Sequence, residues 1–218
     1  MYLPHGTATQ QELIYLAELA TAFLTVAGAI FVAELTDKDA LLLLTLATKA
    51  NPWRVFAAGS MAFTITSAII VLVGSAIAQF IPIFLIKIAG GVIMLGYAFF
   101  QYLKGLREEH NLERRGESLA QGSIQGRWMA FLTVVSALVV LDLAGDATEL
   151  LTVVFVAQFH NLLLVFLGAV IALVAASGVE ATLGHQLGRL LSAKKIRYVS
   201  ILVFLLIGSA IIISAVNL

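Results

Sequence analysis

The chain alternates long apolar runs with short polar breaks, and the runs are too uniform to be the faces of a soluble core. They hold roughly twenty or more residues each, enough to cross a hydrocarbon core of ~30 Å as a helix. The pattern predicts a first helix over 11–49. That is too long for one straight crossing, so a kink or break near its middle is expected. Asn51 and Pro52 mark the turn into a second helix over 53–81, and Pro82 opens a third that ends near 106. The segment 107–126, with Glu108, Glu109, Glu113, Arg114, Arg115 and Glu117, reads as a solvated loop. Further helices are expected over 127–158, 161–191 and 196–216. The expected fold class is an all-α membrane protein with six transmembrane helices. It divides into a first three-helix repeat (1–106), a cytoplasmic loop (107–126) and a second three-helix repeat (127–218).

Composition supports the membrane reading, because only 12% of the 218 residues are charged while 61% are hydrophobic. That leaves too few charges to clothe a soluble domain of this size. Cysteine is absent, which removes disulfides and thiolate metal sites. Residues 1–11 have neither a basic n-region nor a small-residue cleavage site, so no cleaved signal peptide is expected.

Net charge is zero, and the placement of the charges is what informs. Lys49, Arg54, Lys104, Arg107, Arg114, Arg115, Arg127, Arg189, Lys194, Lys195 and Arg197 fall in three connections on one side, whereas Lys87 alone falls on the other. The excess of basic residues predicts that those three connections are cytoplasmic and that both termini lie outside. With three helices per half, the second half is then inverted relative to the first. Aligning Asp37 with Asp146 brings Val55 and Phe56 within one residue of Val165 and Phe166, which supports a weak internal repeat. Inverted repeats with paired interrupted helices are a transporter architecture, with the substrate site near the midplane.

Two of the apolar segments carry clusters of acids. Glu34, Asp37 and Lys38 share one face of the first helix at i, i+3 and i+4, with Asp39 beside them. Asp142, Asp146 and Glu149 share one face of the fourth at i, i+4 and i+7. Asp37 lies ~18 Å from Lys49, and Asp142 and Asp146 lie ~22 and ~28 Å from Arg127, at 1.5 Å per residue. Each carboxylate at the bilayer centre costs at least ~2.5–3.5 kcal/mol. Six such groups need cations, protons or polar partners, and Lys38 is their one local counter-charge. A divalent cation supplies the missing charge to hard oxygen ligands, and it displaces the protons that clustered carboxylates otherwise share. That is the physical basis of cation/proton antiport. The competing reading is that the acids pair with Lys38 and backbone groups to fix helix packing. Thr36 and Gly145, next to the acids, fit helix interruptions that expose carbonyls as ligands. Thr148 is a candidate hydroxyl ligand, although back-bonding to its own helix competes. Glu180 in the fifth helix is a candidate supporting group or proton relay.

Glu34-Leu35-Thr36-Asp37-Lys38-Asp39 and Leu143-Ala144-Gly145-Asp146-Ala147-Thr148 resemble the paired Glu-x-Gly-Asp-Lys/Arg-Thr/Ser motifs of a known family. These are the manganese/calcium exporters of cation/calcium exchanger superfamily two. The resemblance implies two inverted three-helix repeats and export of Mn²⁺ or Ca²⁺ against H⁺. It implies cation ligands at Glu34, Asp37 and Asp146, with support from Lys38, Gly145 and Thr148. The first copy departs from the motif at Thr36 and Asp39. The second lacks the Glu at Leu143 and the basic residue at Ala147, and it has acids at Asp142 and Glu149 instead. The metal set expected from motif and residues together is Glu34, Asp37, Asp142, Asp146 and Glu149, supported by Lys38, Asp39, Thr148 and Glu180.

Two alternatives stay open, a transporter of another metal ion (Cd²⁺, Fe²⁺ or Co²⁺) and a non-transporting metal-binding membrane subunit. No nucleophile with a base partner and no nucleotide or nucleic-acid motif stands out, so neither an enzyme, nor a resident cofactor, nor a nucleic-acid partner is expected. The expected partners are membrane lipid, the divalent cation and H⁺, with a homodimer as an allowed assembly. The expected location is a prokaryotic plasma membrane, spanned several times.

Overall fold

The structure, a computed structural model, describes residues 6–35, 38–122, 127–143, 147–187 and 193–216. The regular structure in these residues is α-helical: α1 (Gly6–Glu34), α2 (Lys38–Lys49), α3 (Pro52–Phe80), α4 (Ile83–Gly122), α5 (Arg127–Asp142), α6 (Ala147–Phe159), α7 (Leu162–Leu187) and α8 (Ala193–Val216). Five segments among the described residues are long and apolar enough to cross a membrane: Gln10–Glu34, Pro52–Phe80, Ile83–Leu103, Leu162–Thr182 and Tyr198–Val216. Phe131–Asp142 and Thr148–Phe159 are shorter apolar helices. The first expected helix is therefore two helices, and so is the fourth. Both divisions fall beside the acids.

The boundaries follow from local chemistry. Pro52 stands at the first position of α3, where it has no N–H to leave unsatisfied, and the Asn51 side chain accepts a hydrogen bond from Trp53 N at 3.0 Å. Asn161 caps α7 in the same way, accepting from Leu164 N at 3.0 Å. His160 just before it, at φ 51°, takes the left-handed conformation that commonly ends a helix and lets α6 turn directly into α7. Pro82 begins α4 by accepting from Leu85 N and Ile86 N.

One expectation is corrected by α4. The sequence predicts a loop over 107–126, but the helix runs on to Gly122. Between Arg107 and Gln121 the chain has no proline and a single glycine, Gly116, amid Glu, Arg, Leu and Ala, which are strong helix formers. Charge marked this stretch as outside the bilayer, but charge does not break a helix.

The bundle core contains Ile30, Leu42, Leu43, Leu46, Phe63, Met94, Leu138, Leu151 and Phe204, all fully buried. Outside it, Leu24, Leu72, Phe80, Val140, Leu163 and Leu206 are broadly exposed, a surface that suits hydrocarbon rather than water. Helices α1 and α2 both pack on α7, α5 and α6 both pack on α3, and α4 packs most extensively on α8. Helices α4 and α8 cross at a pair of glycines. A Cβ on Gly91 would lie 2.9 Å from Gly208 O and 2.5 Å from Ile212 Cγ1, and one on Gly208 would lie 3.1 Å from Gly91 O. Small residues let backbones approach this closely where lipid gives no hydrophobic drive to association. Tyr97 and Phe204 meet edge-on at 5.2 Å beside the crossing.

Candidate cation site

Helices α1 and α5 both stop inside the bundle, and each stops on an acid. Glu34 is the last residue of α1 and is 0% exposed, and Asp142 is the last residue of α5 and is 2% exposed. The chain leaves both helices alike, through Leu35 N to Phe31 O at 3.1 Å and Leu143 N to Val139 O at 3.0 Å. A helix C-terminus carries partial negative charge, so a carboxylate there adds to the field instead of opposing it. Each of these buried carboxylates, at such a helix end, favours positive charge beside it.

Depth can be read from the neighbours. The Thr66 hydroxyl donates a hydrogen bond to Asp142 Oδ2, both residues being buried. Thr66 is the central residue of the 29-residue α3, ~21 Å from its start at 1.5 Å per residue. Further along the same pair of elements, Gly74 of α3 meets Val153 of α6, where a Cβ would lie 3.4 Å from Val153 Cα. The broken helix α5–α6 therefore runs in the same direction as α3. On the other side Gly168 of α7 faces Val26 of α1, where a Cβ would lie 2.9 Å from Val26 Cγ1. Leu43 of α2 and Ser177 of α7 both close on Gly59 of α3, at 3.2 and 3.1 Å from its Cβ position. So α1–α2 runs in the same direction as α7. Glu34, eight residues beyond Val26, then lies ~21 Å from the start of the 26-residue α7, again near the middle.

The remaining expected residues divide by placement. Glu149 is part-buried in the first turn of α6, at the end of the helix that favours an acid. Thr148 is buried beside it, and its carbonyl accepts the Thr152 hydroxyl at 2.9 Å, so Thr152 back-bonds to its own helix. Thr48 likewise back-bonds, to Thr45 O at 2.7 Å. Glu180 is 2% exposed on α7, three residues beyond the fully buried Ser177. Lys38 and Asp39 open α2, but their side chains lie outside the described part of the structure. Asp37 and Asp146, with Thr36 and Gly145, lie outside the described residues altogether. Among the described residues no group of three or more His, Cys, Asp and Glu side chains comes together as a metal site.

Thr66 is not among the residues expected from the motifs and the acids. Its signal was present in the polar set Thr64, Thr66 and Ser67 on an otherwise apolar helix, a set that also suits plain helix–helix adhesion. Thr64 indeed back-bonds, to Ser60 O at 2.7 Å, and Thr66 is the member that reaches an acid.

The model of one protein family, described as the divalent cation/proton antiporter GDT1, matches the chain twice, over residues 22–109 and 127–217. The chain belongs to this family. Each matched segment opens in a helix that breaks at an acid (α1–α2, α5–α6) and continues through two unbroken helices. No individual curated protein and no solved structure matches the chain. GDT1 is a transporter family and not a class of enzymes, and it accords with the manganese/calcium exporters that the two motifs resemble. The multi-pass membrane character follows from the apolar helices and from the family together.

Proposed function

We propose that the protein exports Mn²⁺ or Ca²⁺ in exchange for H⁺ across a prokaryotic plasma membrane, with both termini outside. The observation that carries this reading is the pair of buried carboxylates, Glu34 and Asp142, each on the C-terminal residue of a helix that stops mid-bundle. Asp37 and Asp146 stand in the sequence between the two parts of each broken helix and complete the ligand set, with Glu149 at the start of α6. Lys38, Asp39, Thr148 and Glu180 act in support.

The chemistry is an exchange of charge. Two buried carboxylates are neutralised equally by one divalent cation shared between them or by two protons, so such a site would change cargo without leaving an uncompensated charge at membrane depth. The broken helices α1–α2 and α5–α6 count as one crossing each, which with α3, α4, α7 and α8 makes six. Each broken helix runs parallel to the long helix of the other half, which supports reading the halves as inverted repeats around a shared midplane site.

The test is flux in liposomes reconstituted with the purified protein. Mn²⁺ or Ca²⁺ uptake should be driven by an imposed pH gradient and should move protons the other way, reported by an internal pH dye. A panel that adds Cd²⁺, Fe²⁺ and Co²⁺ identifies the preferred cargo. Binding of these ions without flux of any would refute the transport reading and leave a metal-binding subunit.

A further inference from the structure

Asp142 is held by a hydroxyl that has other places to put its proton. Besides Asp142 Oδ2, the Thr66 Oγ1 lies 3.2 Å from Ala62 O and 3.2 Å from Phe63 O of its own helix. A threonine hydroxyl has one proton and two lone pairs, so it can donate to one of these acceptors at a time. Thr66 is 2% exposed at the centre of α3.

We propose that Thr66 is a two-position partner of Asp142, a positioning residue that changes sides when the cation binds. This rests on the reading of Asp142 as a cation ligand. Without cation, the hydroxyl donates to the Asp142 carboxylate and holds it in one rotamer. When a divalent cation takes up the negative charge of Asp142, the carboxylate becomes a poorer acceptor. The proton then turns back to the carbonyl of Ala62 or Phe63, so no buried donor is left unmade. One hydroxyl thus serves both states, and it does so from α3, the long helix that runs beside α5–α6.

Three variants test this in the liposome assay with Mn²⁺: Thr66→Val, which keeps the shape and deletes the hydroxyl, Thr66→Ser, which keeps the hydroxyl, and Asp142→Asn. Thr66→Val is expected to raise the KM roughly tenfold or more, the range over which partners of metal-binding groups act, while leaving the maximal rate within about twofold. Thr66→Ser is expected to stay within about twofold of the wild type in KM. Calorimetric titration of the detergent-purified proteins with Mn²⁺ should show the same order in Kd. The Thr66→Val/Asp142→Asn double variant should be no worse than Asp142→Asn alone, because the two residues act through one interaction. A role in helix adhesion alone would lower the melting temperature of Thr66→Val and leave its KM unchanged, which overturns the proposal. So would a Thr66→Ser protein as impaired as Thr66→Val. If Asp142→Asn transports like the wild type, the underlying reading of the site fails too. If Asp142→Asn is crippled and Thr66→Val is not, the Thr66 assignment fails alone.

Discussion

The two broken helices reach the same arrangement from different sequences. In the first, the acid stands where the family motif has it, at Glu34, and is buried. In the second, the residue at that position is Leu143, which is 40% exposed, and the buried acid is Asp142, one residue earlier. One step along a helix turns a side chain by ~100°, so adjacent residues cannot share a face. The end of α5 is therefore turned relative to the end of α1, and the carboxylate has moved with the inward face. What is kept between the two halves is a carboxylate on the C-terminal residue of a buried helix end, whatever its distance from the motif glycine.

That comparison breaks most readily by removing either charge. Glu34→Gln and Asp142→Asn, each preserving shape, are expected to lower Mn²⁺ or Ca²⁺ flux by at least ~100-fold, beyond the 10–100-fold typical of outer-shell partners of metal ligands. Flux per reconstituted protein, normalised to insertion, is the measurement. A large loss in one variant only would show that the halves contribute unequally and that the helix-end argument holds for just one of them.

The displaced acid gives a sharper trial. The double substitution Asp142→Ala/Leu143→Glu restores the spelling of the family motif but puts the carboxylate on an exposed face. It should remain as inactive as a charge deletion. Asp142→Glu keeps the face and adds one methylene, and it should retain flux within about tenfold of the wild type, as a modest misplacement of a ligand. If the double substitution works and Asp142→Glu does not, the motif spacing governs and the face does not.

Much of this was legible in the sequence, and what was not has a physical cause. Runs of twenty apolar residues fix crossing helices because lipid demands that each backbone group be satisfied within its own segment. Carboxylates in such runs announce a site, since their insertion costs too much to be idle. Charge says where a segment lives but not whether it is helical, and so the charges of 107–126 suggest a loop although α4 continues through them to Gly122. The hold of Thr66 on Asp142 crosses 76 positions of sequence, and small hydroxylated residues in membrane helices carry no mark that separates adhesion from ligation. The exposure of Leu143 likewise depends on how α5 is rotated in the bundle, which a motif cannot encode.

A second asymmetry lies on the long helices. Glu180 of α7 is buried, and with Asp37 set against Asp146 its counterpart on α3 is Val71, also buried. The second half thus adds a carboxylate that the first half lacks. Glu180→Gln is expected to slow exchange about tenfold, as a supporting group would, and to leave the melting temperature near that of the wild type. Unchanged exchange would reduce Glu180 to a packing residue and make the two long helices equivalent.

The smallest expected effect concerns glycines at matching positions. Under the same alignment Gly59 of α3 corresponds to Gly168 of α7, and each is where a broken helix leans on a long one. The contacts differ in kind. A Cβ on Gly59 would meet the Leu43 Cδ2 at 3.2 Å and the Ser177 hydroxyl at 3.1 Å, the ends of side chains that can give by a few tenths of an ångström. A Cβ on Gly168 would meet Val26 Cγ1 at 2.9 Å and Val26 Cβ at 3.2 Å, a β-branched side chain with little rotamer freedom set on α1 itself. Gly168→Ala should therefore push α1 away and cost about 1–3 kcal/mol, in the range of overpacking. Gly59→Ala should cost less than about 1 kcal/mol, because the helix gains a better former in return. Thermal melting in detergent orders the two. If the order reverses, the contact of α2 with α3 and α7 is the stiffer one, and the firm seat of the first broken helix lies beyond its break rather than before it.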